Sequence, residues 1–406
     1  MKINKCKCCG SERLQVLIDF GMQPVAHNLL DDKEQEDSYM HPLCLHYCEE
    51  CGFIQINDPI SPELLYTKYN YCFSAWKRQP HISDEINILN KYINNKEIKI
   101  LEIGCNDGVF LGPLRKAGFK NIVGVEANSY AAKEASSGGF DILNFMFDKQ
   151  SAARMRKQYD YFDMIIMRQV LEHIPDLDSF FEALDLLLNG EKLLFIEVPD
   201  FANALKYGDC STIWEEHPNY FTYEVLRLML NSKGYTIVDK ASYDFSGGAI
   251  CVLARKTNNE ETRDTKKKFL AQYQSFSGIV NDYGLKLKSA IKQLRENGKT
   301  IFLYGTGSRA CTLVNGLGVG NEIDYAIDDQ KEKQEHYMPG CHLPIISLDK
   351  AIEVGVENGV VLLAVNHENE ELVSEKIISL AKEGNVKIVS LFAPNNIFQE
   401  IDKLYE

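Results

Sequence analysis

Short apolar runs alternate with stretches of helical spacing through the middle of this chain. "IKILEIG", "NIVGVEAN", "FDMIIMRQV", "KLLFIEVPD" and "AICVLARK" punctuate residues 71 to 255. Strand-sized runs separated by helical patterns predict βαβ units and a mostly parallel sheet. A second series, "TIFLYGTGS", "IDYAIDD", "GVVLLAVNH" and "VKIVSLFAP", starts at residue 299 and predicts another α/β unit. Between the two, residues 256–298 are polar and charged, with apolar residues at helical spacing: Ile279, Tyr283, Leu287, Ile291 and Leu294. This predicts one long helix, with Gly298 of "ENGK" as its C-cap. Residues 1–70 carry many turn signals and little regular periodicity. The expected organisation is α/β: a small N-terminal domain (1–70), a central domain (71–255), a helical connector (256–298) and a C-terminal α/β domain (299–406).

Composition supports several domains. The chain has 406 residues, 45% hydrophobic and 25% charged, which suits two or three hydrophobic cores. Its net charge of −14 argues against nucleic-acid or anionic-membrane partners, which need clustered positive charge. A small phosphorylated ligand in a local basic pocket remains compatible. The first residues, "MKINKCKCCG", lack the apolar core of a signal peptide, and runs such as "LLFIEV" and "VVLLAV" are far shorter than a membrane span. The expectation is a soluble cytoplasmic protein, whose twelve cysteines serve as reduced thiols and metal ligands rather than a disulfide framework.

Six of those cysteines lie before residue 70. "CKCCG" and "CEECG" are both Cys-x-x-Cys-Gly turns, and together they supply four thiolates: Cys6, Cys9, Cys48 and Cys51. The glycine after each second cysteine lets the backbone turn so that its amides point at sulfur. Four cysteines fill a tetrahedral zinc and leave no open position, so the expected zinc is structural. Cys8 and Cys44 are left out of the ligand set. The alternative is a reduced redox pair or unconnected cysteines.

"ILEIGCNDGVFLGPL" follows a predicted strand and precedes a predicted helix. Gly104 and Gly108 bracket a tight turn, and Glu126, 18 residues beyond Gly108, ends the next strand where an acidic residue meets a ribose diol. A dinucleotide site wants Gly-x-Gly-x-x-Gly, so that pyrophosphate reaches a helix N-terminus. Here the pattern is Glu-x-Gly-x-Asn-x-Gly. Glu102 would repel pyrophosphate but suits a cationic sulfonium and an amino group, so the loop, with Asn106, reads as an S-adenosylmethionine motif. "MRQVLEHIP" ends the fourth predicted strand and projects Gln169, Glu172 and His173 to the same cleft.

"IWEEHPNYFTYEVL" packs Glu215, Glu216, His217, Tyr220 and Tyr223 into a short loop, with Thr222 as the expected N-cap of the next helix. A histidine beside carboxylates can be tuned as a general base, and the competing reading is a surface loop with an ordinary cap. "YTKYNYCFSAWKRQ" (66–79) is either a lid or an interdomain packing strip. "FSGGAIC" places Gly247 and Gly248 before the last strand, for close approach to substrate or for a hairpin.

Taken in order, these motifs resemble the nucleotide-sugar C-methyltransferases of deoxysugar biosynthesis, over essentially the whole chain. That family combines a four-cysteine zinc domain, a class I Rossmann-like S-adenosylmethionine domain and a C-terminal Rossmann-like domain. Its "EIGCNDG" stands intact at 102–108. Its tyrosine in "YxYxxS" falls on Tyr71, its asparagine and histidine on Gln169 and His173, its Glu-His pair on Glu216 and His217, and its glycine pair on Gly247 and Gly248. Its C-terminal pattern looks like "YGTGSRA" and "IDDQKEKQEHYMPGCHLPI", which by resemblance puts Arg309, Asp328 and Lys333 near the nucleotide. Two positions that touch substrate in the family differ: Trp214 stands for a tyrosine and Gln169 for an asparagine.

The resemblance implies carbon methylation beside a carbonyl. His217, oriented by Glu216, removes a C–H proton, and Tyr71 or His173 hydrogen-bonds the developing oxyanion. Methylation of oxygen or nitrogen on the same scaffold is the alternative. Two further rivals are a nicotinamide oxidoreductase built on the C-terminal unit, where "YGTGSRA" lacks a third glycine, and a non-catalytic scaffold.

Overall fold

The structure, a computed structural model, describes residues 4–37, 39–61, 65, 79–257, 270–381 and 386–405. Tyr71 and most of the aromatic stretch 66–79 lie outside the described residues. The N-terminal module is a sheet of antiparallel strands β1 (Leu14–Pro24), β2 (Met40–Cys48) and β3 (Ile54–Ile56). These strands were not legible as alternation. The β1–β2 register shifts between Val16 and Ile18 and again between Asp19 and Met22, so the consecutive residues Leu17 and Ile18 both turn inward.

The central domain runs α1 (Ile82–Tyr92), β4 (Lys99–Ile103), α2 (Leu111–Lys116), β5 (Asn121–Glu126), α3 (Ser129–Ser137), β6 (Asp141–Asn144), α4 (Lys149–Tyr159), β7 (Phe162–Arg168), α5 (Leu177–Leu187), β8 (Leu188–Pro199), α6 (Ala202–Tyr207), β9 (Asn219–Tyr220), α7 (Tyr223–Ser232), β10 (Tyr235–Tyr243) and β11 (Ala249–Lys256). Seven of these strands form one sheet in the order β10-β11-β8-β7-β4-β5-β6. Strands β4 to β8 are parallel, and β11 runs antiparallel to β8 and β10. Helices cover both faces. Leu101, Ile165 and Ile196 enter one core and Ile100, Met164 and Phe195 the other, which is why these strands read as continuous apolar runs. Chain order reverses around β4, and the carboxyl ends of β4, β5 and β7 open into one crevice. Thr222 caps α7 as its sequence suggested, accepting from Val225 N.

The short strand β9 does not join that sheet. It pairs with β3 and completes the N-terminal sheet, with Ile54 opposite Tyr220 and Gln55 opposite Asn219. The stretch 213–220 is thereby tied to the N-terminal module rather than left at the surface.

Helix α8 (Leu270–Glu296) is about 40 Å long. Its first half buries Tyr273 and Phe276 against the N-terminal sheet, and its second half buries Tyr283, Leu287 and Ile291 in the C-terminal core. It ends on Gly298 at φ +74°, with Lys299 N donating to Leu294 O, the paired-bond stop that glycine allows. The C-terminal domain continues through β12 (Ile301–Tyr304), α9 (Ser308–Gly316), β13 (Tyr325–Ile327), β14 (Ile345–Ile346), α10 (Leu348–Glu353), β15 (Val360–Leu363), α11 (His367–Leu380), β16 (Lys387–Ser390) and α12 (Ile397–Asp402). Its five strands are all parallel, in the order β14-β13-β12-β15-β16. Among the described residues no helix is long and apolar enough to cross a membrane.

A buried ion pair locks the central and C-terminal domains. Arg309 Nη2 lies 3.0 Å from Asp209, whose carboxylate also accepts Ala393 N at 2.8 Å, and the guanidinium stacks on Phe392. Both partners are almost solvent-free, so removing one strands a buried charge. Asp209→Ala is expected to cost about 3–5 kcal/mol, read as a lower denaturant midpoint. Retention of the wild-type midpoint would show that the pair is dispensable.

Candidate active site

At the N-terminus the two Cys-x-x-Cys-Gly turns face each other. Cys6 Sγ lies 3.5 Å from Cys51 Sγ and Cys9 Sγ lies 3.6 Å from Cys48 Sγ, with all four sulfurs within 4.8 Å of one another. A tetrahedral zinc with bonds of about 2.3 Å needs sulfurs about 3.8 Å apart, so the donor set fits the metal. Gly10 and Gly52 sit at φ +73° and +74° and close the turns onto Cys6 O and Cys48 O. The Cys8 amide points at Cys6 Sγ, 3.4 Å away, while the Cys8 thiol and Cys44 stand outside the four-sulfur cluster.

Lys7, inside the first turn, reaches out of the knuckle. Its ammonium donates to Pro218 O at 3.1 Å and to Asn219 Oδ1 at 3.2 Å. With its oxygen taken by Lys7, the Asn219 amide turns its Nδ2 to Leu171 O and Ile174 O, donating at 3.0 and 2.7 Å. Leu171 opens the 3-10 turn Leu171–His173 that follows β7, and Ile174 closes it. The knuckle, the 213–220 loop and the β7 turn are thus stapled together.

The crevice itself begins at the glycine loop after β4. Gly104 sits at φ +70°, and a Cβ there would lie 2.5 Å from Val170 Cγ2. Glu126, at the end of β5, accepts Asn106 N at 2.8 Å and Asn128 N at 2.7 Å, which shapes the loop around its carboxylate. Glu102 is buried; burial pushes its carboxyl up to about 8 against the attraction of Arg168. Its Oε2 has no hydrogen-bond partner among the described residues.

Beneath the loop lies a buried charge cluster. Arg168 contacts Glu85 at 2.9 Å and Glu197 at 2.7 Å, and His81 stands 3.4 Å from Glu197. One guanidinium cannot hold two buried carboxylates ionised. Burial and the charge of Glu197 drive the Glu85 carboxyl far up, whereas Arg168 overcomes burial and holds Glu197 low. Ionised Glu197 accepts Gln169 Nε2 at 2.6 Å and so fixes that side chain at the mouth of the crevice. Gln169 is held at φ +54°.

Next to this mouth sit two histidines. His217 is buried, its ring 4.0 Å from that of Trp214 and 4.6 Å, edge to face, from that of His173. His173 Nδ1 faces the carbonyl of Glu216 at 2.8 Å and must donate to it. Glu172 brings its carboxylate to the same cluster: one donor atom each from Glu172, His173 and His217 lies within 4.8 Å of the others. The Glu216 carboxylate, expected to orient His217, takes His27 Nε2 at 2.8 Å, and the neighbouring Glu215 accepts Ala26 N at 2.8 Å. The N-terminal module therefore holds this loop on both sides of His217.

The C-terminal residues expected near a nucleotide make contacts within the protein. Arg309 is buried in the domain lock, and Gly247, at φ +96°, packs on its guanidinium, where a Cβ would lie 3.0 Å from Nη2. Gly248 backs onto Asp200 and Asn203. Asp328 accepts Thr306 N and Oγ1 at 3.1 and 2.5 Å and pairs with Lys333 at 3.2 Å, bracing the loop after β12. Sequence reasoning missed Lys7, His27, Asn219, Asp209 and the Glu85–Arg168–Glu197 cluster. Each acts across a separation in the chain that leaves no local pattern.

Comparison with known proteins matches the parts in order. A zinc binding domain model covers residues 6–66, a methyltransferase domain model residues 75–240 and a C-methyltransferase C-terminal domain model residues 245–391. The C-methyltransferase NovU of Streptomyces niveus is 27% identical over 414 aligned residues, 98% of each chain. The chain is an S-adenosylmethionine-dependent methyltransferase that carries the C-terminal domain model of the C-methyltransferases. A ubiquinone biosynthesis O-methyltransferase of Bartonella bacilliformis is 30% identical over 103 residues, 24% of this chain and 40% of that protein. The magnesium protoporphyrin IX methyltransferase of Synechocystis PCC 6803, solved with bound SAH, overlays with a TM-score of 0.34 and 15% identity, over 43% of this chain and 82% of that one.

The crevice of this methyltransferase fits its cofactor. The glycine loop lets backbone approach closely, Glu126 closes that loop from the end of β5, and the buried Glu102 Oε2, which has no hydrogen-bond partner among the described residues, suits a cation. Gly104→Ala is expected to weaken S-adenosylmethionine binding on the order of tenfold or more, because the left-handed backbone alone costs about 1–2 kcal/mol before the Val170 clash; isothermal titration checks it. Cys48→Ser is expected to lose zinc by metal analysis and to unfold the N-terminal module by near-ultraviolet dichroism. A folded, active, zinc-free variant would remove the metal from any supporting role.

Proposed function

We propose that this C-methyltransferase methylates carbon beside a keto group of a nucleotide-linked sugar, with His217 as the general base. The observation that carries the reading is the position of His217: buried at the carboxyl end of the sheet, against His173, on a loop held from both sides. The bound cofactor supplies an activated methyl group. The chain's residues have to position the acceptor, exclude water and move one proton.

His217 takes the C–H proton and leaves an enolate on the sugar. His173 donates its Nδ1 proton to Glu216 O, so only its imidazolium form has a second proton, on Nε2, to offer the enolate oxygen. Tyr71, outside the described residues, is the other candidate donor. Trp214 packs its tilted ring on His217, the centroids 4.0 Å apart. Gln169, anchored through Nε2, presents its carbonyl oxygen, which suits a sugar hydroxyl. Glu216 acts through its backbone carbonyl and through His27. Arg309, Asp328, Lys333, Gly247 and Gly248 shape the junction over which the nucleotide lies. End-to-end similarity to a C-methyltransferase favours carbon over oxygen or nitrogen, because the ubiquinone biosynthesis O-methyltransferase of Bartonella bacilliformis matches only 24% of this chain.

Mass spectrometry of products from candidate 4-keto nucleotide sugars tests the reading; a methyl gain retained after the sugar hydroxyls are derivatised is expected. His217→Asn is expected to lose turnover by about 10²-fold or more while keeping cofactor affinity. Unchanged turnover would remove His217 as the base. Because burial keeps Glu102 protonated up to about 8, binding a cation must expel that proton. Cofactor affinity is therefore expected to weaken as pH falls from about 8 to about 6, with proton release seen in calorimetry across buffers. A flat affinity over that range would place Glu102 away from the cofactor's charge.

A further inference from the structure

Glu172 belongs to none of the roles assigned so far, yet it is among the most buried acidic residues of the protein, 1% exposed. It lies in the 3-10 turn after β7, next to His173, and that turn is stapled to the His217 loop through Asn219. The carboxylate and the two imidazoles bring their donor atoms within 4.8 Å of one another. The Glu216 carboxylate, beside His217 in the chain, reaches His27 Nε2 at 2.8 Å.

We propose that Glu172 is the positioning residue of this site, holding a single shared proton on the His173–His217 pair. The inference rests on the reading of His217 as base. Its physical basis is charge. A buried carboxylate is costly unless a positive partner stands beside it. Two imidazoles whose rings are 4.6 Å apart resist carrying two protons at once, and titrate as a pair. One carboxylate and one proton make the cluster neutral. That state is the one the reaction needs: a protonated His173 to donate to the enolate oxygen, and a neutral His217 to take the C–H proton.

Other charged and titratable groups face the cluster from each packed element. From the same loop come Glu215, held on Ala26 N, Glu216, held on His27, and Tyr220, its ring 6.3 Å from His217 and its hydroxyl on the Trp214 backbone. From the N-terminal module come His27 and the Lys7 ammonium, the latter on Pro218 and Asn219. Of the carboxylates around the site, Glu172 is, among the described residues, the one whose oxygen lies within 4.8 Å of a donor atom of each ring in a common cluster.

The test is the pH–rate profile of Glu172→Gln, which removes the charge and keeps the shape. Both limbs of the bell are expected to move to lower pH, by about one unit or more, because each proton on the pair is held less tightly. Zinc content and cofactor affinity should match the wild type. A profile with unmoved limbs, whatever the rate, overturns the proposal. Should the variant fail to fold, histidine-labelled wild type is titrated by NMR. One ring of the pair is expected to titrate above about 6.5 and the other well below it; both titrating together near that ordinary value overturns it. This second measurement needs no turnover, so failure of His217 as base, seen in His217→Asn, is distinguished from failure of Glu172 as proton holder.

Discussion

The pairing of β3 with β9 is the constraint on which the active site depends. Two residues of the central domain, Asn219 and Tyr220, are taken out of its own sheet and made the last strand of the zinc module. A two-residue strand has little stability by itself. It persists because Lys7 and Ile56 both donate to Pro218 O, because Asn219 is clamped between Lys7 and the β7 turn, and because Tyr220 packs on Phe201. His217 stands directly before this clamp. The zinc knuckle thus bears on the crevice at one remove, by holding the backbone that holds His217.

Helix α8 secures the same arrangement from behind. The Tyr273 hydroxyl donates to Gly52 O, the glycine that closes the second knuckle, and the Tyr283 hydroxyl donates to Leu391 O in the C-terminal domain. One rigid rod therefore spans the zinc module and the C-terminal sheet, while the Asp209–Arg309 pair fastens the central domain to the latter. The crevice lies among parts whose relative placement is fixed by buried polar contacts, each of which is costly to break singly.

Charge is managed by pairing on different scales. Arg168 keeps Glu197 ionised and leaves Glu85 to be neutral, so the base of the crevice is electrically settled and Gln169 has a fixed orientation. Glu102, on the neighbouring strand, is pushed up to about 8 by burial in spite of Arg168, so this crevice holds carboxyl groups of very different proton affinity side by side.

The sequence alone determined the parallel sheets, the long connector with its Gly298 stop, the Thr222 cap and the glycine loop at 102–108. These rest on interactions within a few residues: apolar runs, helical spacing, a cap, a turn that needs positive φ. The four zinc-ligand cysteines were equally legible, because a metal imposes a short and stereotyped spacing on each pair. The N-terminal strands were not, since two register shifts in β1 erase the alternation. Nor could the sequence say that Glu216 turns to His27, that Arg309 is buried against Asp209, or that Glu172 joins the two histidines. Arg309 and Asp209 stand 100 positions apart, and Glu216 and Glu172 are likewise remote in the chain from His27 and His217. Charge attracts charge without regard to order along the sequence. Only the packing of three domains around one loop chose which of them meet.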